Sequence, residues 1–306
     1  MIAFTCPGQG SQAVGMGRDV YDTFEVAREM LDRLDAAVDF DLLGTMFDGP
    51  AEALTATENA QPALLAHSLA VAAVLADAGV VPHLAAGHSL GEYSALAVAG
   101  VIDPVDAVRL VRVRGRLMAE AGAQAGGAMA AIIGLEDELL EQALAGVEGV
   151  VVAANYNSAD QTVISGEADA VAEAGRKASE LGAKRVIGLN VSGAFHSPLM
   201  APAARRLAEA LQTVAFADAR VPVYRNVDAA PATDAATLKE GLVRQLTEPV
   251  RWKQTVVAMA AAGATTFIEV GPGSVLTRML KRSDPPVGAL STASAEEIGQ
   301  TIAALA

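Results

Sequence analysis

Gly87-His88-Ser89-Leu90-Gly91 sets a serine hydroxyl between two glycines, each two residues away. The apolar triplet Leu84-Ala85-Ala86 ahead of it predicts a short strand, and the residues behind it predict a helix. A strand that turns sharply into a helix lifts a serine oxygen clear at the helix N-terminus, the geometry of a nucleophile elbow. A glycine-rich turn with a serine cap has the same composition. The strand-to-helix context favours the nucleophile.

A serine nucleophile needs a base to take its proton, and the chain offers His67, His83, His88 and His196. His88 adjoins Ser89, so its side chain should diverge at a tight turn. His67 falls in an apolar helical stretch, where a buried structural role fits better. His83 follows Pro82 in a predicted loop and is expected to be solvated. His196 lies in the predicted loop Ser192-Gly193-Ala194-Phe195-His196-Ser197-Pro198, where two structural blocks meet, and such junctions favour ligand sites. Elimination therefore favours His196. Near the N-terminus, glycines on both sides of Gln9 let its backbone N–H approach a ligand. Paired with the N–H of Leu90 it would make a two-donor oxyanion hole. An ordinary turn accounts for Pro7 to Gln12 equally well.

Arg114 adds a charge. Asp103-Pro104 opens a predicted helix that runs to about Ala121. At about 100° per residue, Leu110, Leu117, Met118 and Ala121 share one face with Arg114 at its centre. Arg109, Arg112 and Arg116 fall opposite, where solvation is the expectation. An unpaired buried charge is costly, so Arg114 needs an anion. That anion is either an internal Asp or Glu, or a carboxylate on a substrate.

The elements that must position these residues alternate as strand and helix over 1–124, which predicts a parallel sheet covered by helices. A long apolar helix is expected over 62–78, with Pro62 at its tolerated first position. Ala123 to Gly127 reads as a small-residue linker. Beyond it the expected order is strand 129–133, helix 136–145, strand 150–155, a turn at 157–160, strand 162–165, helix 168–181 and strand 185–191. That β-α-β-β-α-β order is ferredoxin-like. From Gly193 the α/β pattern resumes, with a strand from Thr265 to Val270 ending at Gly271-Pro272-Gly273. The expected division is a large domain of 1–124 and 192–306, with a small domain of 125–191 inserted.

The 306 residues are 52% hydrophobic, enough for a sizeable core. The apolar stretch Ala63 to Ala76 is broken by His67 and Ser68 and falls short of the roughly 18 to 20 residues of a membrane span. The N-terminus has no basic n-region or apolar h-region, so no signal peptide is expected. One cysteine, Cys6, excludes an intramolecular disulfide and any Cys-rich metal site. A cytoplasmic location follows as the expectation. Net charge of −14 argues against nucleic acid or an anionic membrane as partner.

Taken together, these segments resemble the malonyl-CoA:acyl carrier protein transacylases of bacterial fatty acid synthesis along essentially the whole chain. The matching stretches are Pro7 to Gln12, Gln61 to Leu64, Gly87 to Ala95, Arg114-Gly115, Gly126-Ala128-Met129 and Asn155 to Ser158. Gly193 to His196, Gln245-Leu246, Pro249 to Trp252 and Glu269 to Gly273 complete the set. The resemblance implies an α/β-hydrolase-like parallel-sheet domain carrying a ferredoxin-like insertion. It implies Ser89 as nucleophile, His196 as base and the amides of Gln9 and Leu90 as oxyanion donors, with Arg114 clamping the malonyl carboxylate. A backbone carbonyl near Gln245, not an aspartate, is implied to orient the histidine. Phe195, Gln245, Asn155, Gln61 and His88 are implied to line or support the pocket. In related polyketide acyltransferases a Phe before this histidine accompanies malonyl, so Phe195 implies malonyl over methylmalonyl. In the free enzyme the Arg114 charge is expected to be met by water or by polar neighbours such as Gln9. Malonyl-CoA and acyl carrier protein are the implied partners of a monomer that uses neither metal nor cofactor. The competing classes are a serine esterase or thioesterase, an acyl hydrolase of a polyketide pathway using the same serine, and a non-catalytic docking protein. None of these has a use for Arg114 together with Ser89 and His196.

Overall fold

The computed structural model describes residues 1–191, 193–283 and 286–305. Its strands are β1 (Ile2–Cys6), β2 (Leu84–Gly87), β3 (Gly127–Ile133), β4 (Val151–Ser158), β5 (Gln161–Glu167), β6 (Arg185–Gly188), β7 (Val223–Tyr224), β8 (Pro231–Ala232), β9 (Thr266–Glu269) and β10 (Gly288–Ser291). Six of them form one sheet in the order β10-β9-β1-β2-β7-β8, parallel except where β8 runs against β7. Successive side chains of a strand point to opposite faces, and a parallel sheet buries both. Phe4, Cys6, Ala85 and Ile268 accordingly pack on one side with the helices Thr57–Asp77, Gly91–Val98 and Pro104–Ala125. Ala3, Leu84, Ala86 and Phe267 pack on the other side with the helices Trp252–Ala261 and Val275–Leu280.

The second sheet has the order β4-β5-β3-β6 and is antiparallel throughout. Numbered within its own β-α-β-β-α-β unit, that order is 2-3-1-4, the ferredoxin-like arrangement expected from the sequence. Ala130, Ile132 and Ile164 meet the helices Asp137–Leu144 and Ala168–Glu180 on one face. Met129, Ala131 and Val163 turn the other face into the main core. Two boundaries of this unit differ from the expectation by three residues. Strand β4 runs on to Ser158, leaving only Ala159-Asp160 as the turn, and β6 stops at Gly188. Strand β4 keeps its pairing with β5 as far as Ser158 opposite Gln161, and it also bonds outside its sheet. Tyr156 N–H donates to the Val250 carbonyl at 2.9 Å and Val250 N–H donates to the Ala154 carbonyl at 2.8 Å. This short parallel ladder fastens the small sheet to the segment leading into helix Trp252–Ala261.

Helix Thr57–Asp77 begins five residues before the expected start, so Pro62 lies inside it. Proline has no N–H to give the carbonyl four residues earlier, which leaves Glu58 O without its helical donor. Arg112 Nη1 fills that role at 2.7 Å and reaches Asn59 Oδ1 at 2.6 Å, while its guanidinium lies 4.1 Å from the Phe40 ring centroid. Arg112 is therefore a helix-to-helix strut with a side chain only 12% exposed, not the solvated residue expected from its helical face. The longer helix is apolar enough by length and composition to cross a membrane, with a mean hydropathy of 1.3, yet 78% of that window is buried in the protein.

Arg112→Met leaves the Glu58 carbonyl without a donor and should cost about 1 to 3 kcal/mol in urea unfolding. The cost should shrink in a Pro62→Ala background, where residue 62 regains an N–H. Equal costs in both backgrounds would sever the link between Pro62 and Arg112.

Candidate active site

Ser89 sits between β2 and helix Gly91–Val98 with φ +52°, the left-handed conformation of a sharp turn. The flanking glycines are required by close approach. A Cβ on Gly87 would fall 1.9 Å from the Gly91 carbonyl, and one on Gly91 would fall 1.9 Å from the Cys6 carbonyl. Asn226, just past β7, holds the turn from below. Its Oδ1 accepts from Ser89 N–H at 2.7 Å and its Nδ2 donates to Gly87 O at 2.7 Å. Gln245 Nε2 adds a donation to Ser89 O at 2.9 Å.

His196, also left-handed at φ +57°, places Nε2 2.8 Å from Ser89 Oγ and Nδ1 2.8 Å from the backbone carbonyl of Gln245. A carbonyl can only accept, so Nδ1 carries the proton and Nε2 offers its lone pair to the serine. Burial, with Arg114 beside it, holds the imidazole down to about 3, so it is neutral and able to accept. The other histidines stand elsewhere. The His88 ring turns away to Asn157 Oδ1 at 2.8 Å, with its edge toward Trp252. His67 is fully buried with neither ring nitrogen partnered, and burial holds it down to about 4. His83 is exposed and accepts from Ile2 N–H.

Arg114 is 1% exposed and reaches the same serine. Nη2 lies 3.1 Å from Ser89 Oγ and 3.0 Å from Gln245 Oε1, and Nη1 lies 2.8 Å from Gln61 Oε1. Its carbon sits 5.2 Å from the Tyr93 ring centroid. Among the described residues it makes no ion pair, and its Nε–H has no partner. The internal acid that the sequence left open as its partner is not in contact. Neutral amide oxygens from Gln61 and Gln245 stand there instead of Gln9, whose side chain bonds Thr57 Oγ1 at 3.3 Å.

Gln9, His88, Ser89, Leu90, Arg114, Asn155, Phe195 and His196 all line one cavity of about 290 Å³. The amides of Gln9 and Leu90 have no acceptor among the described residues. Leu189 to Val191, freed by the early end of β6, form part of its wall. A larger hollow of about 520 Å³ opens between Glu136, Lys253 and Met279, but Ser89, His196 and Arg114 do not line it. Among the described residues no cluster of three His, Cys, Asp or Glu side chains could hold a metal. Cys6 is buried, and burial pushes its thiol up to about 12, so it is unreactive.

Asn226, Glu92 and Asn157 were not nominated from the sequence, though the first two hold the nucleophile turn and the third holds His88. A signal existed for Asn226. It follows β7, the neighbour of β2, at the carboxyl end of the parallel strands, where sites of open α/β sheets gather.

A strained serine at a strand-to-helix turn, a histidine on its oxygen and two residues with unpaired amides lining the same cavity are the parts from which acyl-serine chemistry can be built. Residues 3–300 match the acyl transferase domain family. A malonyl CoA-acyl carrier protein transacylase of Bacillus subtilis is 46% identical over 99% of this chain and 97% of its own length. An acyl carrier protein S-malonyltransferase of Vibrio cholerae superposes with TM-score 0.95 at 44% identity, covering 98% of this chain and 99% of that one. A malonyl-transacylase solved in complex with its type II PKS acyl-carrier protein superposes with TM-score 0.95 at 41% identity over 99% of both chains. The chain belongs to the acyl transferase domain family and, within it, to the malonyl CoA-acyl carrier protein transacylases.

Asn226→Asp would set a carboxylate oxygen against the Gly87 carbonyl in place of an N–H donor. Displacing the nucleophile by an ångström costs on the order of 10²-fold, so kcat should fall by about that much with far-UV circular dichroism unchanged. A variant with wild-type kcat would show that Asn226 does not hold the turn.

Proposed function

We propose that the protein moves a malonyl group from malonyl-CoA to the phosphopantetheine thiol of an acyl carrier protein, through an ester on Ser89. The observation that carries this reading is Arg114, a buried cation with no acid in contact among the described residues, 3.1 Å from Ser89 Oγ. A carboxylate two bonds from the reacting carbonyl is the group such a guanidinium lacks, and a planar fork grips it at two points.

Ser89 Oγ gives its proton to His196 Nε2 and attacks the thioester carbonyl carbon. The oxygen that becomes negative faces the amides of Gln9 and Leu90. Collapse breaks the C–S bond, the departing CoA sulfur takes the proton from His196, and malonyl-Ser89 remains. The carrier thiol then gives its proton to His196, its sulfur attacks the ester, and Ser89 leaves with the proton returned. The histidine must become a cation in each half, which burial and Arg114 oppose. A malonyl carboxylate on Arg114 cancels the second opposition, so the substrate strengthens the base that acts on it. An acetyl group cannot. A transferase between CoA and a carrier thiol works where both are found, which supports a cytoplasmic location. A hydrolase on the same serine would end on water and leave the arginine without a task.

Ser89→Ala should abolish both covalent malonylation, read by intact mass, and transfer. A malonylated Ser89→Ala protein would put the ester elsewhere. Arg114→Ala removes one partner of a buried charge pair, worth about 2 to 5 kcal/mol, and should lower malonyl transfer by tens to thousands of fold. Acetyl transfer should hold steady or rise in the same variant. Equal losses would make Arg114 structural. Phe195 is 6% exposed on the cavity wall, and one misfitting methyl is worth about 1 to 3 kcal/mol. Malonyl should therefore be preferred over methylmalonyl, with the preference partly relieved in Phe195→Ser. Equal kcat/KM for both substrates in the wild type would refute this role.

A further inference from the structure

We propose that Glu92 is a positioning residue of the carboxylate clamp: it fixes which way the Gln245 amide faces, and through that amide it sets how strongly Arg114 holds the malonyl carboxylate. The inference deepens the reading above and rests on it. Glu92 stands three residues after Ser89, in the first turn of helix Gly91–Val98, and is 1% exposed. Its Oε2 accepts from Asn226 N–H at 3.0 Å and from Gln245 Nε2 at 2.8 Å. An ionised carboxylate only accepts, so both neighbours must donate. The Gln245 nitrogen is thereby committed to Glu92, with its second N–H on Ser89 O at 2.9 Å, and its Oε1 is left to face Arg114 Nη2 at 3.0 Å. With the amide reversed, an NH2 would meet the guanidinium and an oxygen would meet both the carboxylate and the Ser89 carbonyl, exchanging three attractions for three repulsions. The chain has a polarity, with Glu92 at the accepting end, Arg114 at the donating end and one amide between them.

Glu92 is thus the countercharge of Arg114 at one remove. Its second oxygen, Oε1, is buried with no partner. A proton placed there leaves Oε2 accepting as before, so the orientation of Gln245 survives protonation while the countercharge does not. Burial raises the carboxyl to about 7, against the donations from Asn226 and Gln245 and the field of Arg114. The other charged group facing it is Asp228, beyond β7, which is itself paired with Arg225. Burial holds His88 and His196 neutral and pushes Tyr93 up to about 12. Above neutrality, the ionised Glu92 and a malonyl carboxylate compete for one guanidinium. By linkage, malonyl binding raises the affinity of Glu92 for a proton.

The test is KM for malonyl-CoA and for acetyl-CoA between about pH 6 and pH 8.5, in the wild type and in Glu92→Gln. The malonyl KM of the wild type should climb on the order of three- to tenfold as pH rises through neutrality, while the acetyl KM stays flat. Glu92→Gln, the isostere of the protonated acid, should show a malonyl KM that is low and flat across the range. A malonyl KM as flat as acetyl in the wild type overturns the proposal, as does a rise that persists in Glu92→Gln. If Glu92→Gln yields no folded protein, the wild-type comparison of the two substrates decides alone. Failure of the Ser89 ester would appear separately, as an acyl label on Ser89→Ala at any pH.

Discussion

Arg114 carries a full positive charge at 1% exposure with neutral oxygens for its nearest partners, and much of the surrounding structure follows from holding it there. A buried ion recovers its lost hydration only through close, well-aimed donors and acceptors. Gln61 must therefore come within reach from helix Thr57–Asp77, which requires that helix to lie almost against helix Pro104–Ala125. Gly115 makes this possible, since a Cβ there would stand 2.7 Å from Glu58 Cα. The missing side chain beside the arginine and the amide that serves it are two parts of one packing solution. The Tyr93 ring face adds a further attraction.

A second constraint is backbone strain. Ser89 and His196 both occupy the left-handed region, unusual for residues with a side chain. At Ser89 the strain is held by hydrogen bonds from three directions: Asn226 to its N–H, Gln245 to its carbonyl, and the Gly87 carbonyl tied to Asn226. Gln245 recurs in each part of the site. Its backbone carbonyl orients His196, its Oε1 faces Arg114 and its Nε2 reaches Ser89 O and Glu92. One residue thereby couples the His196 ring, the Arg114 guanidinium and the Ser89 turn.

What could be read from the sequence was what the sequence expresses locally. The elbow shows as glycines at fixed spacing, the arginine as one charge on an apolar helical face, and the inserted sheet as alternation between two periods. Apart from the family resemblance, His196 could be reached only by elimination, because its partner lies 107 residues away. Asn226 and Glu92 act across separations of 137 and 134 residues, and an asparagine or glutamate reads the same whether it supports a turn or faces solvent. The start of helix Thr57–Asp77 was misplaced for a related reason. Proline is favoured at a first helical position, and the donor that makes it tolerable further in comes from Arg112 on another helix.

The ladder between β4 and Val250 bears on how the two sheets can be recombined. Two backbone hydrogen bonds join the insertion to a segment almost a hundred residues downstream of β4 in the chain. Asn155 on the cavity wall and Asn157 against His88 both lie on that fastened stretch. A chimaera that exchanged only 125–191 for the equivalent piece of a relative would graft one half of a seam and leave the other behind. The natural unit of exchange is discontinuous, and it includes the residues around Val250 that no boundary drawn along the chain would group with the insertion.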